Sequence, residues 1–320
     1  MDKIFIFGLA RSGTSWLGSI FDAHPDTIYR FEPDASLFDQ NLPYIFSDEE
    51  VPEYLERARK YALKLHDVKD VRTNGRPPFF RKTYRPALLH FLRILWSYMA
   101  RSFGRLAGTR IARKIIVPDF IANRQNMVSV VKCVDSPGRL FLMASTLPEC
   151  KFVFIIRHPC GVVNSWLRGA EQGKITKPKA YDDWLKINGA RRRGLGKTDL
   201  AALSQLEIGS WSWLLHNESV LERTSQLQNV RLVNYDDLCR DPVSKTKELF
   251  EWCGLDFNEQ VRGYLNKSLS NTDTQQDYYA LVQQPEIAAN KWRTQLTDEE
   301  KMRIKEIVAD SEAGKIFYQT

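Results

Sequence analysis

Short apolar runs alternate with helical patterns along most of this chain. Lys3-Ile-Phe-Ile-Phe7 is aromatic-rich and suits a strand buried on both faces. Gly8 ends it, and Ser12-Gly13-Thr14-Ser15 opens a helix predicted to run to about Ala23, before His24-Pro25. Ser129 to Val134, Lys151 to Ile156 and Val230 to Asn234 read as further strands. Helical patterns cover about Asp48–Lys64, Tyr84–Arg113, Pro137–Ser145, Gly161–Gly169, Lys179–Arg193, Leu203–Arg223, Pro242–Cys253 and Thr297–Asp310, the last with Thr297 as N-cap and Glu300 three residues on. In the Tyr84–Arg113 stretch, Leu88, Leu89, Leu92, Leu95 and Trp96 recur at helical spacing. Strand–helix alternation predicts an α/β fold with a mostly parallel central sheet, right-handed crossovers and helices on both faces. The whole of 1–320 reads as one domain, with a helical insertion at about 70–125.

Composition narrows this picture. The 320 residues are 43% hydrophobic, an ordinary globular balance. Five cysteines without a C-x-x-C spacing support neither a disulfide framework nor a zinc site and fit a reducing compartment. Five histidines without an H-x-x-x-H pair give a metal centre no support. The apolar stretch Ile4 to Leu9 is too short for a signal peptide, and no run of about 18 uncharged apolar residues predicts a membrane span. The expectation is a cytoplasmic protein. Its charge of +7 is concentrated: between Arg76 and Arg124 stand eleven Lys or Arg and one acid, Asp119. Such a patch speaks of a partner or an acidic ligand.

The turn after the first strand carries chemistry. Gly8-Leu-Ala-Arg-Ser-Gly13-Thr14-Ser15 has the glycine spacing of a phosphate loop. Backbone N–H groups at a helix start, with the helix dipole behind them, bind a phosphate. A nucleoside-triphosphatase loop follows its second glycine with Lys and then Ser/Thr. Here Thr14 takes the lysine position and the cation, Arg11, sits inside the loop. The strand Phe152 to Ile156 ends in Arg157, where an Asp would help to hold magnesium. A loop so built suits a phosphate with no metal beside it, and a sulfuryl group, less charged than a terminal phosphoryl, meets that demand. The plain alternative is a glycine-rich βα turn with no ligand. Arg157 lies at the strand edge where ligands of open α/β sheets gather, and Ser165 is two helical turns on, so both can reach one anion. An Arg that caps loops is the competing reading.

With both motifs in view the chain resembles the PAPS-dependent sulfotransferases (PAPS being 3′-phosphoadenosine 5′-phosphosulfate). Their 5′-phosphosulfate loop resembles Arg11-Ser-Gly-Thr-Ser-Trp16-Leu17, and their 3′-phosphate motif resembles Arg157-x7-Ser165. Val233-Asn-Tyr235-Asp-Asp-Leu238 before Asp241-Pro242 is similar to a Tyr-Glu-Asp-Leu segment, and Asn290-Lys291-Trp292 to a late loop over the nucleotide. Arg11 in the loop, His24-Pro25-Asp26 and Phe31-Glu32-Pro33 bring it nearest the Golgi-type carbohydrate and tyrosylprotein enzymes, without their membrane anchor.

The resemblance implies a P-loop-type three-layer fold, PAPS as donor, no metal, and a hydroxyl acceptor on a saccharide or a lipid-linked molecule. It implies that Arg11, Ser12, Gly13, Thr14 and Ser15 hold the 5′-phosphosulfate. Arg157 and Ser165 would take the 3′-phosphate, Trp16 and Tyr235 would lie at adenine, and Lys291 would close over the nucleotide. For Trp16 and Tyr235 a purely core role is the competing reading. Glu32 is the expected base, its pKa raised by apolar neighbours Phe31 and Pro33, with Asp135 as a fallback. Lys132, followed by Ser136-Pro137, is similar to the lysine that contacts the leaving group. Val134 stands where many cytosolic relatives use His, so a His mechanism is not expected.

The basic stretch 76–124 admits three readings: contact with an anionic membrane surface, binding of an acidic polymer, or a solvated helix packed on the sheet. Nucleic acid would use the same charge, but nothing else in the chain favours it. Two alternatives to the sulfotransferase stay open at this level. One is a small-molecule kinase with a degenerate loop, and the other a non-enzymatic binding protein that uses the basic helix on membranes or nucleic acid.

Overall fold

The computed structural model describes residues 1–112, 114–123, 125–134, 136–176, 179–270 and 285–318. Five strands form one parallel sheet: β1 (Asp2–Phe7), β2 (Thr27–Phe31), β3 (Val128–Lys132), β4 (Lys151–Ile156) and β5 (Val230–Asn234), in the order β2-β3-β1-β4-β5. Central β1 pairs with β3 through Ile4 opposite Val130 and with β4 through Ile6 opposite Val153. All strands point the same way, so Gly8, Glu32, Cys133, Arg157 and Tyr235 follow their C-terminal ends along one edge of the sheet.

Both faces of the sheet are covered, which explains why β1 and β4 read as unbroken apolar runs. On one face Ile4, Ile6, Val130 and Val153 pack with Leu17, Ile20 and Phe21 of α1 (Thr14–Ala23). On the other, Phe5, Phe7, Phe152 and Phe154 meet α2 (Val51–Leu65) and the helix Pro137–Thr146. The Phe5 and Phe152 rings stack 4.8 Å apart, 6° from parallel. The five cysteines are free and buried.

Four of the five strands coincide with the sequence expectation within two residues at each end. β2 does not appear in it. Its sequence Thr-Ile-Tyr-Arg-Phe carries a charge in mid-strand, yet Arg30 is buried. Arg30 makes a two-pronged pair with Asp119, both bonds 2.9 Å, and donates to Asn74 and to the carbonyl of His66. Burial works against the Asp119 carboxylate, but Arg30 and Lys69 bring its pKa down to about 2. The pairing that makes Arg30 a strand residue lies 89 positions away. The long helix expected over Lys179–Arg193 is instead a 3-10 turn (Asp182–Lys186) and a short helix (Asn188–Arg192). The break lets Trp184 turn into the core and brings Gly189 so close to Glu218 that a Cβ would stand 2.5 Å from its carboxylate.

Between β2 and β3 the chain runs through α2, the single turn α3 (Val71–Asn74) and α4 (Ala87–Ala107). Asp70 caps α3 by accepting from the N–H groups of Arg72 and Thr73. In α4 the buried residues are Ser97, Ala100 and Gly104, and its large apolar side chains point outward. Among the described residues no helix is long and apolar enough to cross a membrane.

Candidate active site

At the C-terminal edge of the sheet lies a cleft of about 750 Å³. Its floor is the turn between β1 and α1. Gly8 allows this turn to lie against β4, since a Cβ there would sit 2.7 Å from the Ile155 carbonyl. Gly13 has φ +92°, and a Cβ on it would stand 2.1 Å from the Tyr235 ring. No side chain caps α1, and the first N–H groups of a helix have no partners within it. They point at the cleft with the helix dipole behind them, an anion cradle that fits a phosphate or sulfate group.

Arg11, held at φ +72°, donates from Nε to Ser165 Oγ at 2.8 Å. Arg157 donates to the Arg11 carbonyl at 2.9 Å and to the Ala288 carbonyl at 2.7 Å, and its guanidinium carbon lies 5.0 Å from the centre of the Tyr235 ring. Its Nε is buried with no hydrogen-bond partner among the described residues. Gly161 makes room for this side chain: a Cβ there would meet Nε at 2.8 Å. Trp16 and Tyr235 meet edge to face, 6.2 Å apart. These groups build a cationic pocket with aromatic walls.

The opposite wall holds the candidate base. Glu32 follows β2 at φ +48° and its N–H donates to the Lys132 carbonyl at 2.8 Å. Its carboxylate accepts from Lys132 Nζ at 2.6 Å and from Arg72 of α3 at 2.6 Å. Lys132 Nζ also reaches Ser15 Oγ at 3.2 Å and lies 4.3 Å from the centre of the Phe31 ring. Ser15, Lys132, Glu32 and Arg72 thus form one chain of contacts from the anion cradle to α3. The expected rise in the Glu32 pKa is not found. Burial does push it up, but Lys132 and Arg72 outweigh burial and hold the carboxyl below the usual range. Burial lowers the Lys132 pKa in turn, against the pull of Glu32.

Of the residues expected from sequence, Arg11, Gly13, Thr14, Ser15, Trp16, Glu32, Lys132, Arg157, Ser165, Tyr235 and Lys291 all line this one cleft. Ser12 does not. It is fully buried beneath the turn, and its N–H is spent on the Leu9 carbonyl at 3.1 Å. Asp135 lies outside the described residues. His158, next to Arg157, does not line the cleft. Its Nδ1 accepts from the Cys160 N–H as a helix cap, its ring stacks on Trp292 at 4.2 Å, and burial lowers its pKa to about 3. Sequence reading passed over Arg72, Arg76, Arg168, Asp34 and Gly161, which also line the cleft. The charge run at 76 was a signal for Arg76; nothing local marks the others.

Among the described residues one group of metal-ligand type, His24, Asp26 and Asp256, stands apart from the cleft. Both ring nitrogens of His24 are engaged, with Asp256 at 2.9 Å and with the Asp26 N–H at 3.2 Å, so the group holds itself together without an ion.

The family pattern for sulfotransferases matches residues 3–259. The chain belongs to the sulfotransferase family. Carbohydrate sulfotransferase 1 of Danio rerio is 21% identical over 92% of this chain and 72% of its own length. Carbohydrate sulfotransferase 2 of Mus musculus is 22% identical over 95% of this chain and 62% of its own length. Among solved structures, the sulfotransferase domain from the curacin biosynthetic pathway aligns at a TM-score of 0.47 and 15% identity, covering 95% of this chain and 96% of that one. Mouse sulfotransferase SULT7A1 complexed with PAP aligns at 0.45 and 14%, covering 98% and 87%. This sulfotransferase is an enzyme of sulfuryl transfer. The kinase and binding-protein alternatives are not favoured by its family, and the kinase lacks its loop lysine as well.

Proposed function

We propose that the chain, acting as one sulfotransferase domain with 70–125 inserted, transfers a sulfuryl group from PAPS to a hydroxyl of a saccharide or lipid-linked acceptor. One observation carries this reading: the contact chain Ser15–Lys132–Glu32 joins an anion cradle to a carboxylate at the floor of one cleft. The cradle at α1, with Arg11, suits the 5′-phosphosulfate. Arg157 and Ser165 suit the 3′-phosphate, and Trp16 and Tyr235 offer faces and edges to adenine. Lys291, on the nucleotide side of the cleft, closes that end.

The reaction is an in-line displacement. The acceptor oxygen bonds to sulfur as the sulfur–oxygen bond to the 5′-phosphate breaks, and the acceptor proton passes to Glu32. Lys132 and the N–H groups of α1 stabilise the charge that grows on the departing phosphate. The lowered pKa of Glu32 has a place in this scheme. Lys132 stands between Ser15 and Glu32, so an anion in the cradle draws its ammonium away from the carboxylate. Glu32 then keeps Arg72 alone and becomes a stronger base when the donor is in place.

Calorimetric titration tests the donor assignment. 3′,5′-ADP should bind far more tightly than 5′-AMP, and sulfate from labelled PAPS should then reach a panel of saccharide and glycolipid hydroxyls. Equal binding of the two nucleotides would overturn the reading.

A further inference from the structure

α4 is an inside-out helix. In a helix on a globular protein the large apolar stripe normally faces the core. Here Ser97, Ala100 and Gly104 face the protein, while Phe91, Leu92, Leu95, Trp96, Met99 and Phe103 are exposed, Phe91 to 61%. Their spacing continues from Leu88 to Leu106 at either end, so they form one stripe along all 21 residues of the helix. The helix is held by small-residue packing of Ala100 on Val71 and Val117 and by polar ties, not by its large apolar stripe. Arg93 donates to the Asn74 carbonyl at 2.6 Å, and Trp96 Nε1 to the Ile116 carbonyl at 2.9 Å. A contiguous apolar patch of this kind marks an interaction surface.

Charge identifies the occupant. Between Asp70 and Asp119 the sequence has no acid at all. Arg105 and Lys114 beside the stripe are exposed. Aromatic and aliphatic side chains beside cations, without acids, match the headgroup boundary of a negatively charged bilayer. A second copy of this chain would set these cations against themselves. Nucleic acid would take the cations but leave the apolar stripe in water.

We propose that the outer face of α4 docks on an anionic lipid surface, with its apolar stripe at the acyl boundary and Arg105 and Lys114 among the headgroups. The surface stands independently of the donor and acceptor assignment. It also bears on the cleft. Arg93 of α4 holds the end of α3, two residues from the Arg72 that grips Glu32. A bilayer on α4 would therefore lie on the Glu32 side of the cleft.

Co-sedimentation of the full chain with phosphatidylcholine vesicles, with and without phosphatidylserine, tests this. The chain should bind the phosphatidylserine vesicles, and added salt should weaken the binding because headgroup attraction is screened. The double variant Arg105→Glu and Lys114→Glu should bind more weakly by at least roughly 25-fold, at about 5-fold for each cation lost, with repulsion of the two new carboxylates in addition. The triple variant Phe91→Ser, Leu95→Ser and Phe103→Ser should not bind. Because all five positions are on the surface, each variant should keep the wild-type melting temperature. If the triple variant fails to fold, the charge pair alone decides. Three results would overturn the proposal: equal binding to both vesicle types, unchanged binding of the charge variant, or a dimer in sedimentation velocity that the apolar substitutions dissolve.

Discussion

The two walls of the cleft hold their cations in opposite ways. On the wall proposed for the nucleotide, Arg157 donates to the carbonyls of Arg11 and Ala288, which carry no charge, and Arg11 donates to the Ser165 hydroxyl. On the facing wall, Lys132 and Arg72 are both bound to the Glu32 carboxylate. Neutral partners fix a guanidinium without cancelling its field, which suits a wall that must attract phosphate groups. A carboxylate gripped by two cations is fixed and ionised, which suits a proton acceptor that waits for its partner. One sheet edge thus supports a binding wall whose guanidinium is held by neutral groups and a facing wall where Glu32 offsets part of the charge of Lys132 and Arg72.

Substitutions can separate the two. The largest effect is expected for Glu32→Gln, which keeps the shape and removes the proposed base. Its kcat should fall on the order of 10²–10⁴-fold. Its affinity for 3′,5′-ADP should stay within a few-fold by calorimetry; a collapse of that affinity would show the walls to be inseparable. Arg157→Ala acts on the other wall. It should weaken 3′,5′-ADP by roughly 10–150-fold, the worth of a charge-assisted hydrogen bond, and leave 5′-AMP nearly unchanged. Gly13→Ala would place a methyl into the Tyr235 ring at a positive φ. A loss of ~1–3 kcal/mol in urea unfolding is expected, together with weaker nucleotide binding.

Arg72→Met should have the smallest effect on stability, below about 1 kcal/mol, because Arg72 is partly exposed and solvent screens the pair. Its mark is on pH. The folded pKa of Glu32 is depressed, so this ion pair contributes stability above the ordinary glutamate range and loses it as pH falls through the lowered value. Removing Arg72 takes away one of the two cations, so the acid limb of kcat/KM should move to higher pH. An unmoved limb would mean that Glu32 is not the titrating group. The wild type itself gives a companion test. If the donor draws Lys132 off Glu32, the acid limb of kcat should lie above that of kcat/KM, since the two report the loaded and the free enzyme.

Much of this arrangement is legible in the chain. β1, β4 and the turn after β1 announce themselves because an apolar run, a glycine and a hydroxyl pair are local signals. Lys132 and Arg157 are legible because each closes a strand or follows one, and Glu32 only through the resemblance of Phe31-Glu32-Pro33 to a family motif. What stays hidden depends on long-range pairing. β2 is masked by Arg30, whose burial makes sense only with Asp119 in place. The direction of the Glu32 pKa depends on Arg72 and Lys132, 40 and 100 positions away. The stripe on α4 is plain in sequence, but periodicity says only that one face is apolar, not which way it turns. In the fold the residues that α4 buries are small and its large ones face solvent.

The five cysteines have a use that goes beyond redox compartment. All are buried, and burial raises the pKa of each thiol, to about 11 for Cys150 and Cys160 and about 12 for Cys239 and Cys253. Thiolate, not thiol, reacts with alkylating dyes. The native thiols should therefore react slowly with maleimide, and a single cysteine introduced at Arg105 should take up a fluorophore well ahead of them.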